Sequence, residues 1–141
     1  MQIGVEASRA VENKRVFVIE SDEVSAVALQ FMLADECETH VLPDSATALA
    51  KGREWPPNLI LLGAGIIAAE GARIVAQLKA QWSGLKILVV ADSVDDPAVK
   101  AAKTEGADSV LLRPLTLEAV RRKVDTQLGR RAALDIPVVL T

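Results

Sequence analysis

Five short apolar runs punctuate the chain, and each ends abruptly at polar or small residues: Lys14–Ile19 (KRVFVI), Glu38–Leu42 (ETHVL), Leu59–Leu62 (LILL), Lys86–Val90 (KILVV) and Ser109–Leu112 (SVLL). Short runs rich in Val, Ile and Leu, with little polar alternation, predict strands buried on both faces; ETHVL is the weakest of them. Between the runs, apolar residues recur at spacings of three and four. From Asp22 to about Asp35 this period predicts a helix with Val24, Val27, Ala28, Phe31 and Met32 on its inner face. Ser21 or Asp22 would cap it, with further acids in its first turn. Pro43-Asp44-Ser45 opens a short helix through Ala50, closed by Gly52. Trp55-Pro56-Pro57-Asn58 reads as a turn, and Gly63-Ala64-Gly65 as a flexible stop after the third strand. Further helices are predicted from about Glu70 to Gln81, from Pro97 to Glu105 with Gly106 ending it, and from Thr116, as cap, to Leu128.

Regular alternation of five strands with five helices predicts an α/β fold, a parallel sheet with helices on both faces. In such sheets function gathers at the carboxyl ends of the strands, near the point where strand order reverses. Here those ends carry Glu20-Ser21-Asp22, Gly63, Ala91-Asp92 and Arg113. One domain is expected over residues 14–128, between an arm (1–13) and a tail (129–141). The tail's IPVVLT end has no helical period and suits either an unfolded segment or a strand added to a sheet edge.

Composition narrows the picture. Half of the 141 residues are apolar but only 3% are aromatic, with no tyrosine, so the core must be built from Val, Leu, Ile and Ala. The net charge of −3 is spread among interspersed signs, and the basic runs Arg121-Arg122-Lys123 and Arg130-Arg131 are short. No nucleic-acid partner is expected from such a surface. A single cysteine, Cys37, cannot form an intrachain disulfide, which points to the cytoplasm. No run approaches the ~20 apolar residues of a membrane span, and no basic segment followed by an apolar one opens the chain.

Taken in order, VFVIESDE, PNLILLG, Gly71 eight residues after Gly63, KILVVADS and GADSVLLRPL resemble the receiver domains of bacterial two-component response regulators. The resemblance covers about residues 14–128. It implies a flavodoxin-like (βα)5 three-layer sandwich with strand order 2-1-3-4-5. Active receivers bind magnesium through two acids after the first strand and phosphorylate an aspartate ending the third. They contact the phosphoryl oxygens through a Ser or Thr after the fourth strand and a Lys after the fifth. By this resemblance Glu20 matches the first acid, and Ser21 takes the second acid's place with Asp22 one step on. Gly63 stands at the phosphoacceptor, Ala91 at the Ser/Thr, Arg113 at the Lys, and Val110 at the aromatic switch residue of the fifth strand. Glycine has no carboxylate, alanine no hydroxyl and valine no ring to swing. The resemblance therefore implies a degenerate pocket and a protein-interaction module rather than an enzyme. No cofactor is expected, since only Glu20 and Asp22 remain to hold magnesium. The partner would be a sensor kinase or an output protein, with a homodimer also open. The face implied for it is Ala98, Ala101, Ala102, Val110, Ala119, Arg122 and Lys123.

Two other readings stay open: a receiver phosphorylated on Asp92 or Asp22, and a small-ligand domain using the same sheet end. For Glu20, Asp22 and Arg113, a structural Arg–carboxylate pair outweighs a remnant ion site, because half-buried acids need a partner and the planar Arg fork suits one. Asp92 either turns toward Arg113 or serves its own loop. The Gly63-Ala64-Gly65 stretch lacks the spacing and the following Lys-Ser/Thr of a phosphate-binding loop. His40 has no adjacent partner for phosphotransfer or metal binding, Ser21 has no histidine to activate it, and Cys37 reads as a packed small residue.

Overall fold

A computed structural model describes residues 14–129; the expected arm and the tail beyond Gly129 lie outside the described residues. Five strands form one parallel sheet: β1 (Arg15–Ile19), β2 (Glu38–Leu42), β3 (Leu59–Gly63), β4 (Lys86–Ala91) and β5 (Ser109–Leu112), in the order β2-β1-β3-β4-β5. The helices are α1 (Glu23–Leu33), α2 (Ser45–Gly52), α3 (Ala64–Glu70), α4 (Arg73–Gln81), α5 (Pro97–Thr104) and α6 (Leu117–Leu128).

The apolar runs form strands because both faces of the sheet are covered. Val16, Val18, Leu59, Leu61, Leu88, Val90 and Leu111 pack under α1 and α6, against Leu29, Leu33, Val120 and Val124. Their strand neighbours Phe17, Ile19, Ile60, Leu62, Ile87 and Val89 point the other way, into a core shared with α2, α3, α4 and α5. Successive strand residues face opposite layers, so the buried positions of the inner strands are apolar on both sides.

Two expectations are corrected. The first concerns α1: its buried residues are Ser25, Ala26, Leu29 and Leu33, while Val24, Val27 and Phe31 of the predicted inner face are exposed. The helix is apolar almost all round, so periodicity did not single out a face, and the deciding feature is a buried serine with partners in the site. The second concerns Gly63-Ala64-Gly65, which is no flexible stop. Helix α3 begins at Ala64, and Gly71, at a φ of +97°, separates it from α4. Gly65 costs a helix about 1 kcal/mol, and burial of Ile66 and Ile67 outweighs that. The helix expected from Glu70 accordingly starts at Arg73, beyond the left-handed glycine.

The caps follow the side-chain chemistry. Asp22 is the N-cap of α1 and accepts from the Ser25 N–H at 3.2 Å; Thr116 caps α6 by accepting from the Ala119 N–H. Asp96, one residue ahead of Pro97, caps α5. No helix among the described residues is long and apolar enough to cross a membrane.

Candidate functional site

The carboxyl ends of β1, β3, β4 and β5 meet around Arg113. Its backbone N–H donates to the Ala91 carbonyl at 2.9 Å, which continues the β4–β5 ladder one step and aims the side chain back over the sheet end. The guanidinium then serves three elements. Nη2 donates to Glu20 Oε1 at 3.1 Å, Nε donates to Ser25 Oγ at 2.9 Å, and Nη1 reaches Asp92 Oδ1 at 3.3 Å. Glu20 is the buried partner, its side chain only 2% exposed against 82% for Asp92. The second Glu20 oxygen accepts from the Asp22 N–H at 3.1 Å. Both carboxylate oxygens are thus occupied, as a buried charge requires. Arg113 is thus paired with two carboxylates, buried Glu20 and exposed Asp92.

Gly63 lies directly beneath this pair. Its φ of −67° is ordinary backbone, so no left-handed freedom is needed here. What matters is close approach: a Cβ on residue 63 would sit 2.5 Å from Glu20 Oε2 and 2.6 Å from Cδ. The Glu20 carboxylate fills the space a side chain at 63 would take.

The remaining predicted residues are placed less centrally. Asp22 is committed to the α1 cap, accepting from both the Ser25 N–H and the Ser25 hydroxyl at 2.6 Å. Those two bonds, the hydroxyl first, hold its carboxyl below the usual carboxylate range. Ser21 is exposed and lies on the Gly65 side, where a Cβ would come 3.3 Å from its Oγ. Ala91 and Val110 are buried. Ser25 is the residue sequence reasoning missed. It links the cap to Arg113, and the only available signal was a serine three residues after a capping aspartate.

Magnesium does not suit this donor set. Glu20 is already matched by the Arg113 cation, and Asp22 is turned into the α1 cap. Among the described residues, no three His, Cys, Asp or Glu side chains gather where they could hold a metal ion.

The expected partner face is also corrected. Ala98 and Ala102 on the inner side of α5, and Val110 on β5, are buried in the core, so they offer little surface to a partner. Ala101 and Arg122 are exposed, and Ala119 and Lys123 are half-buried. The periodicity of α5 turns its alanines alternately in and out, and only Ala101 of these three faces out. His40, half-buried, sits edge-on to Phe17 at 5.8 Å and contacts Glu38 Oε2 at 2.8 Å. Cys37 is buried under α1.

A family model described as the response regulator receiver domain matches residues 16–125. The chain belongs to the response regulator receiver family. Among curated relatives, this receiver domain is 29% identical over 126 residues to the transcriptional regulatory protein PrrA of Mycobacterium leprae, covering 87% of the chain and 53% of the relative. It is 24% identical over 102 residues to the response regulator protein VraR of Staphylococcus aureus, covering 70% of the chain and 49% of the relative. The chain therefore spans about half the length of these relatives. Among solved structures, a putative response regulator from Chloroflexus aurantiacus superposes with a TM-score of 0.74 at 18% identity, covering 84% of the chain and 99% of that protein. Vibrio cholerae chemotaxis protein CheY4 gives 0.72 at 18% identity, covering 81% and 98%. These likenesses establish the receiver fold.

Proposed function

We propose that this receiver domain serves two-component signalling as a recognition module, without phosphorylation at the end of β3, and is not an enzyme. The observation that carries the reading is the Glu20 carboxylate lying over Gly63 and paired with Arg113. In this reading Gly63 replaces the phosphoacceptor, and the Glu20–Arg113 pair supplies internally the opposite charges that an acyl phosphate and its cation would otherwise bring. Asp22 is held by its cap, which argues against its use as a substitute acceptor. The partner is a kinase or an output protein recognised by shape.

The test is incubation of the chain with acetyl phosphate and magnesium, followed by intact mass. No phosphoryl adduct is expected. A labile single adduct lost on Asp92→Asn would overturn the proposal and assign phosphorylation to that exposed acid.

A further inference from the structure

Strand β2 closes one side of the sheet, and among the described residues only β1 pairs with it. The Glu38 N–H donates to the Lys14 carbonyl, and the Leu42 carbonyl accepts from the Glu20 N–H. Glu38, His40 and Leu42 therefore turn their backbone groups toward β1, and the alternate residues Thr39 and Val41 turn theirs to the outside. Proteins blunt such edges by shortness, proline, lysine or a bulge. Strand β2 runs through five residues, ETHVL, in unbroken register and carries none of these. The opposite edge, β5, has four residues and meets Pro114 soon after. Beside β2, a groove against α1 is lined by Ala26, Val27, Val41 and Pro43. Val27 is 65% exposed and Val41 37%. The β2 edge thus offers solvent-facing main-chain groups next to an apolar floor.

The chain carries one segment suited to that edge: residues 136–140, IPVVL, an apolar and largely β-branched run that follows α6. Handedness decides between the two edges. Helices α1 and α6 cover the same face of the sheet, where Leu29, Leu33, Val120 and Val124 share one core. On that face the β1–α1–β2 crossover moves toward the β2 edge. A right-handed connection leaving α6 moves the same way and ends outside β2. A parallel strand beside β5 would need the left-handed crossover that such sheets almost never show. The path is short. Arg121 donates to the Met32 carbonyl at 3.2 Å and lies 3.6 Å from Asp35 and 3.7 Å from Glu36, the residues that lead into β2. Helix α6 ends at Leu128, about 10 Å further along its axis. Residues 130–135 span about 20 Å when extended, enough to return to the start of β2. Arg130 and Arg131 in this link complement Asp35 and Glu36 in charge. We infer that residues 136–140 dock as a sixth, parallel strand on the outer edge of β2. In the register that overlaps all five residues, Val138 lies opposite His40. Its N–H donates to the Thr39 carbonyl, and its carbonyl accepts from the Val41 N–H. Pro137 and Val139 then turn their nitrogens to solvent, as a proline in an edge strand requires, and their side chains toward Val27 and Val41. The inference is independent of the recognition-module reading.

Amide hydrogen exchange on the full chain, read residue by residue by NMR, tests this. The Thr39 and Val41 amides are expected to exchange about tenfold or more slowly in the wild type than in Val138→Pro, which removes the N–H that faces β2. The Glu38, His40 and Leu42 amides bond to β1 in both proteins and should not change, which shows that the sheet is intact. Equal exchange of Thr39 and Val41 in the two proteins would overturn the inference. So would a loss of protection in Val138→Pro confined to Val110 and Leu112, the outward amides of β5, which assigns the segment to the other edge. Protection of Thr39 and Val41 that appears only as a dimer forms with rising concentration would also overturn it, since the strand then comes from a second copy. The phosphoryl reading is decided separately by mass, so failure of either leaves the other standing.

Discussion

Gly63 and Glu20 compete for one volume. With a Cβ at 63 only 2.5 Å from Glu20 Oε2, Gly63→Ala must push the carboxylate aside and strain its bond to Arg113. The carboxylate is the end of a flexible side chain, so the protein still folds, with an expected loss of about 1–2 kcal/mol. In a Glu20→Ala background the same substitution should be close to neutral, because nothing remains to displace. Urea unfolding of the four proteins in this cycle measures the coupling directly. Equal costs in both backgrounds would mean that Glu20 does not occupy the space above residue 63. Arg113 plays a different part at the same point: it is the only cation among the described residues paired with buried Glu20, and it ties β5 to β1 and α1 in one contact.

Strands β1 and β2 meet at the edge of the sheet, where the weak ETHVL segment needs help to stay in register. Arg15 supplies it at the amino ends, donating to both Glu38 oxygens at 2.7 and 3.3 Å, while its guanidinium lies 5.3 Å from the Trp55 ring centre. The Arg15 bond, with His40 second, holds the Glu38 carboxyl at about 2 against an ordinary 4.5. A depressed carboxyl pKa stabilises the folded state above the unfolded value, and that contribution is lost as the pH falls through the folded one. Solvent reaches the pair, with Glu38 37% exposed, so the effect is about 1 kcal/mol rather than the full shift. Wild type should exceed Glu38→Gln by that amount at pH 6, and the gap should close between pH 4.5 and 2. Chemical denaturation across this range checks it; a gap that persists at pH 2 would assign the effect to packing instead.

A single sheet serves both layers of the molecule, so neither layer has a core of its own. Leu61 and Leu62 are adjacent on β3, fully buried, and face opposite layers. Leu61→Ala and Leu62→Ala should each cost about 3 kcal/mol through lost burial and the cavity left behind. Both should unfold in one transition with the wild-type denaturant slope. Two separable transitions in either variant would show that the layers unfold independently. The same architecture explains why the strand ends can carry a buried ion pair: the apolar sheet beneath supplies the stability that offsets its desolvation.

The α/β fold and most element ends were legible in the chain, because strands buried on both faces must be continuously apolar and caps require particular side chains; the strand order was legible only through the family resemblance. Thr116 and the SVLL strand, for instance, stand where local chemistry put them. The pairing of Arg113 with a carboxylate was also legible, since a half-buried charge demands an opposite one. What needed the tertiary structure was direction. Helix α1 is apolar on two sides, and only its docking to the sheet, with Ser25 drawn in to meet Arg113, selected the inner face and left Val24, Val27 and Phe31 outside. Helix α3 exists because Ile66 and Ile67 find a core that no local propensity announces. Local sequence specifies what a segment can form; which side of it faces the interior depends on partners far along the chain, and those contacts exist only once the sheet has assembled.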